Sequence, residues 1–210
     1  MVWLTFALAI FIGVVVLYAP GYLVGRAVLL ERFASVAAAP AFSVVALVIL
    51  GVVFDAVHVR CDGWMLLLAC AALCLLVYGV CCGLRGLRGC DGRTHSARSA
   101  VDSEWVLVAL YVGVAAAVSL IVFVHAMGDP VSFSRNDDTT VHLSVVRGFL
   151  ESGTFSTLNV TKYLDLGESG GYYPAAWHVV TAVVASLVGN QVVLATNAMI
   201  FVVCAFVLPI

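Results

Sequence analysis

The chain has 210 residues, of which 63% are hydrophobic and 10% charged, with a net charge of -2 and a mean hydropathy of +1.12. A soluble domain carries about 25% charged residues, so the composition excludes a soluble globular chain and implies a polytopic membrane protein. Its ten basic residues are scattered and make no phosphate-tracking surface, which excludes a nucleic-acid partner.

A spanning helix needs about 20 apolar residues, and on that rule six segments are read as spans. They are Val2 to Ala19, Val36 to Phe54, Gly63 to Cys82, Trp105 to Met127, a shorter one from Tyr172 to Gly189, and Val192 to Ile210. The first basic residue is Arg26, so the first segment lacks the basic start of a cleaved signal and is read as a mature helix. Pro20 and Gly21 are expected to end it. Asp102, Ser103 and Glu104 are expected to cap the fourth segment just before Trp105. The segments contain no Asp, Glu, Lys or Arg, which disfavours an ion channel or pump, since ion pathways need such residues inside the membrane.

Lys and Arg are retained on the cytoplasmic side. Loops 20 to 35 and 83 to 104 hold Arg26, Arg32, Arg85, Arg88, Arg93 and Arg98, against Arg60, Arg135, Arg147 and Lys162 in the alternate loops. The expected topology therefore has the N-terminus outside, the Arg-rich loop cytoplasmic and the long loop 128–173 extracytoplasmic. Two regions follow: residues 1–104, three helices with the Arg-rich loop, and residues 105–210, which carry the long outer loop. The seven cysteines form no CxxC pair and read as small apolar residues in a reducing or lipid setting.

The polar stretch from Asp129 to His178 concentrates the chemistry. Within it, Asn136 to Glu151 reads as an amphipathic helix, with Thr140, Ser144, Arg147 and Glu151 on one face and Val145, Val146, Phe149 and Leu150 on the other. Asn136 or Asp137 suits the N-cap, and an acid there also suits the helix dipole. Asp138 and His142, four residues apart, project together at the edge of the apolar arc. Such a pair serves as base and orienter, as two ligands of a divalent ion, or as a simple hydrogen bond. Gly153 is the expected helix stop, and Asn159-Val160-Thr161 is a formal glycosylation sequon. Tyr172, Tyr173 and Pro174 open the next helix. His178 lies one turn inside, either an ordinary interfacial histidine or a third member of the Asp138 and His142 crevice.

The order of these pieces resembles the GT-C type membrane glycosyltransferases, nearest to a group of multi-pass actinobacterial proteins of the same architecture. The residues that carry the resemblance are the N-D-D at 136–138, the amphipathic helix ending in E-S-G at 151–153, and Y-Y-P-A-A-W-H at 172–178. They cover roughly Trp105 to Gly189. The resemblance implies an all-α transmembrane bundle of about six helices with one structured outer loop, whose helix lies along the membrane surface. It implies sugar transfer from a polyprenyl-phosphate carrier to an envelope acceptor, at a cell membrane of bacterial inner-membrane type. Asp137 or Asp138 would be the catalytic base. Asn136, His142, Tyr173 and His178 would line the substrate site. Arg135 and Arg147, the basic residues nearest the outer loop, are expected to hold the carrier phosphate, because guanidinium groups match phosphate oxygens; the alternative, a solvated charge, suits Arg147 better, on the polar face.

The loop follows the fourth helix here, where the well-known enzymes place it after the first, and the chain holds fewer helices than they do. A fragment or reduced relative is therefore expected. No cofactor is expected, because a divalent metal would lack a full ligand set. The expected partners are membrane lipids, a lipid-linked sugar and other membrane subunits. The alternative reading is a non-catalytic scaffold or subunit of an envelope-assembly complex, in which the acid and the histidines would not converge on one cavity.

Overall fold

The computed structural model describes residues 1–87, 98–133, 137–164 and 173–209. All regular structure among them is helical: α1 (Val2–Ala27), α2 (Arg32–Ala56), α3 (Gly63–Leu87), α4 (Arg98–Met127), α5 (Asp137–Ser152), α6 (Ala176–Leu187) and α7 (Val192–Val202). A π turn, Val203–Val207, continues α7. The protein is an all-α bundle. Four of its helices contain stretches long and apolar enough to cross a membrane: Val2–Ala27, Arg32–Ala56, Gly63–Arg85 and Trp105–Phe123.

Pro20 does not end the first helix; α1 runs through it to Ala27. A proline inside a helix disturbs the hydrogen bonding of its turn, and in membrane proteins a neighbouring helix can supply the missing partner. Here α2 does so, because the Gly21 N–H donates to Ser43 Oγ at 2.8 Å. Gly21 is also where the two backbones meet. A Cβ there would lie 1.9 Å from the Ala39 carbonyl oxygen, so the absence of a side chain is what lets α1 and α2 pack along their length.

Two further boundaries differ from expectation. α4 starts at Arg98, so Asp102, Ser103 and Glu104 lie within the helix. No Gly or Pro stands between Arg98 and Trp105, and nothing there stops the helix from extending. α3 runs on to Leu87, and the Arg85 guanidinium donates to the Ala27 carbonyl, tying the end of α3 to the end of α1.

The fifth and sixth segments are shorter than a crossing. α6 has 12 residues, about 18 Å at 1.5 Å per residue, against a hydrocarbon core of about 30 Å. α7 has 11 residues. Both are inner helices: Val179 to Ala185 are buried without a break, as are Leu194, Ala195 and Ala198. An inner helix is apolar all round because protein surrounds it, and its sequence looks like that of a span.

α5 is docked on the bundle. Val145, Val146 and Phe149 are fully buried against α6 and α7, and Phe149 stacks on Phe155 with ring centres 5.9 Å apart. The helix stops at Gly153, whose φ of 66° is left-handed and suits glycine. The Gly153 carbonyl accepts from the Cys61 N–H at 2.9 Å, which anchors the end of α5 to the turn between α2 and α3.

Candidate functional site

Docking of the apolar arc of α5 brings its first turns against the start of α6. His142 Nδ1 and His178 Nε2 lie 2.8 Å apart, sharing one proton, with their rings nearly parallel at a centre distance of 5.0 Å. The Tyr173 hydroxyl is 3.4 Å from the same His142 nitrogen. On the far side of the ring, His142 Nε2 faces Asp138 Oδ1 at 3.5 Å, which is too long for a well-formed hydrogen bond. The Trp177 ring stands edge-on to both imidazoles.

Of the expected site residues, the fold thus unites Asp138, His142, Tyr173 and His178. Arg135 and Asn136 lie outside the described residues. Asp137 opens α5, and its side chain is also outside them. His178 sits in the cluster with His142, being 3% exposed. Arg147 is a solvated surface group, paired with Glu151 at 3.4 Å and 72% exposed, a kind of pair worth about 0–1 kcal/mol. The sequon amide of Asn159 is taken up in a hydrogen bond to Asp55. Among the described residues no three His, Cys, Asp and Glu side chains gather as a metal site.

Burial sets the charge state of His178. Burial, and after it the neighbouring His142 ring, lower the His178 pKa from 6.5 to about 4, while the Ala175 backbone acts the other way. His178 Nδ1 has no partner at hydrogen-bond geometry, although that backbone lies close enough to favour a proton there. His178 is therefore neutral at neutral pH. Burial, and then Asp138, raise the Tyr173 pKa, so its oxygen stays a hydroxyl.

A stability prediction follows from His178. The folded protein takes up this proton less readily than the unfolded chain, so stability rises with pH across the window. The contribution is complete above the unfolded value of 6.5 and shrinks as pH falls toward the folded value of about 4. Thermal melts from pH 7 to pH 4 should show a falling Tm, and His178→Phe should flatten that slope. An unchanged slope in the variant contradicts the assignment.

Of this cluster, His142 and Trp177 line a cavity of about 450 Å³ between α5, α6, α7 and residues 132–133, within the usual size range for a small-molecule site. Its polar lining is Ser132, Thr139, His142, Thr196 and Asn197. The Asn197 amide donates to the Pro130 and Ser132 carbonyls at 2.8 and 2.9 Å and so fixes the segment leading into α5. Thr196 Oγ1 is buried without a partner. Sequence reasoning missed Thr196 and Asn197. The signal was a polar pair inside VVLATNAMIF, in a setting where polar side chains are costly and mark sites.

No curated protein matches the chain, and no solved structure does. Residues 14–210 match the model of a family of unknown function, DUF6541. With nearly its whole length matched, the chain belongs to the DUF6541 family.

Proposed function

We propose that this protein is a multi-pass transferase of a bacterial cell membrane, moving a sugar from a polyprenyl-phosphate carrier to a hydroxyl of an envelope acceptor at its outer face. The observation that carries the reading is the gathering of Asp138, Tyr173 and His178, from two separated segments, around His142, which itself lines a cavity.

His142 is the base. The acceptor oxygen attacks the anomeric carbon, the bond from that carbon to the phosphate oxygen breaks, and the carrier leaves as polyprenyl phosphate. The hydroxyl proton passes to His142 Nε2, which Asp138 faces without holding it. The resulting imidazolium is stabilised by that carboxylate. An imidazole works near neutral pH as a base, whereas a carboxylate 82% exposed to water is well solvated and a poorer one. Asp138 is on this reading a positioning residue.

The test is transfer of radiolabelled sugar from a panel of polyprenyl-phosphate donors by the purified protein in lipid bilayers. One donor is expected to support transfer; no transfer from any of them sinks the reading. The scaffold alternative draws on the mutual contact of His142 and His178, which a purely structural pair would also make, and it is what the negative result leaves standing.

A further inference from the structure

The histidine pair stands deep within the thickness of the helical bundle. Ser186, in the last turn of α6, lies against the first residue of α3: a Cβ on Gly63 would be 1.9 Å from Ser186 Oγ. His178 precedes Ser186 by eight residues, about 12 Å of helix at 1.5 Å per residue. α6 packs among α1, α2, α3 and α7, so that rise is depth. The other end of α6 reaches the interiors of α1 and α2, where Trp177 lines one groove with Leu17, Pro40 and Val44. Trp3 and Trp64 are exposed in the first turns of α1 and α3 and mark the membrane interface at that end, as tryptophan belts do. A level about 12 Å below it is near the middle of a hydrocarbon core of about 30 Å.

α5 descends beside α6. Its end is tied to the α2–α3 turn through the Gly153 carbonyl and the Cys61 N–H, and its beginning is tied to α6 through His142 and His178. Arg147 stands between these anchors and is exposed together with Glu151. Thr140 and Asp138 lie beyond His142, deeper still, and are exposed as well. Hydrocarbon is a costly surrounding for such a face. Residues 173–175 enter α6 without helical structure, and irregular backbone within a membrane occurs only where protein buries it or where it lines water.

We propose that α5 and α6 are a re-entrant pair, and that the polar face of α5 lines a water-filled crevice. The crevice opens on the membrane face where α1 begins and reaches Asp138 and His142 near the mid-plane of the bilayer. It is an entry route for hydrophilic solutes, which gain the site from the aqueous side without crossing lipid.

Two measurements on the full chain in phosphatidylcholine nanodiscs test depth and water separately. For depth, chains that keep only Trp177 or only Trp64, with the other tryptophans changed to Phe, are placed in lipids brominated near the head group or near the chain ends. Trp64 should be quenched more by the first lipid and Trp177 more by the second. For water, Thr140→Cys, Arg147→Cys and Ile121→Cys are treated with a charged, lipid-insoluble methanethiosulfonate. Labelling is read peptide by peptide, so the native cysteines stay in place. Ile121 is the lipid control: it is exposed on α4 near Phe123, whose ring packs on Phe201, next to the cavity-lining Ile200. The two α5 positions should react at least about tenfold faster than Ile121→Cys, because each unit by which an apolar setting raises a thiol pKa removes a factor of ten in reactive thiolate. Each variant is compared at wild-type helix content.

Trp177 quenched in the same pattern as Trp64 overturns the re-entrant pair and returns the site to the interface. Labelling at Thr140→Cys or Arg147→Cys no faster than at Ile121→Cys overturns the crevice and leaves lipid or another protein chain on that face. Neither measurement uses a sugar donor, so absence of transfer leaves the crevice standing, and absence of the crevice leaves transfer to be judged by its own assay.

Discussion

Gly21→Ala is expected to destabilise the bundle by about 3 kcal/mol, the upper end of the usual cost of overpacking a tight site. The added Cβ would lie 1.9 Å from the Ala39 carbonyl oxygen and 2.7 Å from its carbon. Both are backbone atoms of α2, so no side-chain rotation relieves the clash and the helices must separate. Separation also stretches the 2.8 Å bond from the Gly21 N–H to Ser43 Oγ, and an orphaned buried donor beside Pro20 costs about 1–3 kcal/mol by itself. Gly79 has nothing within 4 Å of an added Cβ, so Gly79→Ala should stabilise α3 by about 0.5–1 kcal/mol through helix propensity. Equilibrium unfolding in mixed micelles, followed by helical circular dichroism, reads both. Equal and small effects at Gly21 and Gly79 would show that the α1–α2 contact is not as close as described.

The second large effect is on transfer. His142→Ala should slow sugar transfer by about 10²–10⁴-fold, the usual worth of a positioned general base. Asp138→Asn should slow it about fivefold or less, because a carboxylate as exposed as this one contributes about 0–1 kcal/mol to a paired cation. The ratio between the two variants identifies the base. If Asp138 takes the proton itself, the order reverses and Asp138→Asn carries the larger loss. Asp138 is well exposed, so Asp138→Asn should keep the wild-type Tm, whereas His142→Ala removes the partner of the buried His178 Nε2 and should lower the Tm, by the equivalent of about 1–3 kcal/mol.

Much of α5 was legible in the sequence. The 3.6-residue period separated Val145, Val146 and Phe149 from Arg147 and Glu151, and the former are fully buried while the latter form an exposed pair. The glycine stop was legible as well, because a left-handed residue after a helix is a local requirement. The start of α4 was missed although the absence of Gly and Pro before Trp105 was there to read. The other misreadings share one physical cause: Pro20 and the lengths of α6 and α7 depend on what lies beside a segment, and hydropathy carries no information about neighbours. A run such as AWHVVTAVVASL is equally apolar whether lipid or protein surrounds it.

The candidate site was legible in part for the same reason. Asp138 and His142 are one turn apart on a single helix, and their spacing reveals them. His178 joins them only because α5 docks along α6, a contact across 36 residues of sequence. Thr196 and Asn197 come from a third element. Their partners, the cavity and the Pro130 and Ser132 carbonyls, exist only once α7 is in place.

The most direct measurement is a double-mutant cycle on sugar transfer, comparing wild type, Asp138→Asn, His142→Ala and the double variant in the same bilayers. Residues that act as one catalytic unit are not additive. The double variant should therefore be as slow as His142→Ala alone, since a carboxylate has nothing to stabilise once the imidazole is gone. A double variant slower than His142→Ala by the full factor that Asp138→Asn costs alone, or a wild type that transfers no sugar, would contradict the account.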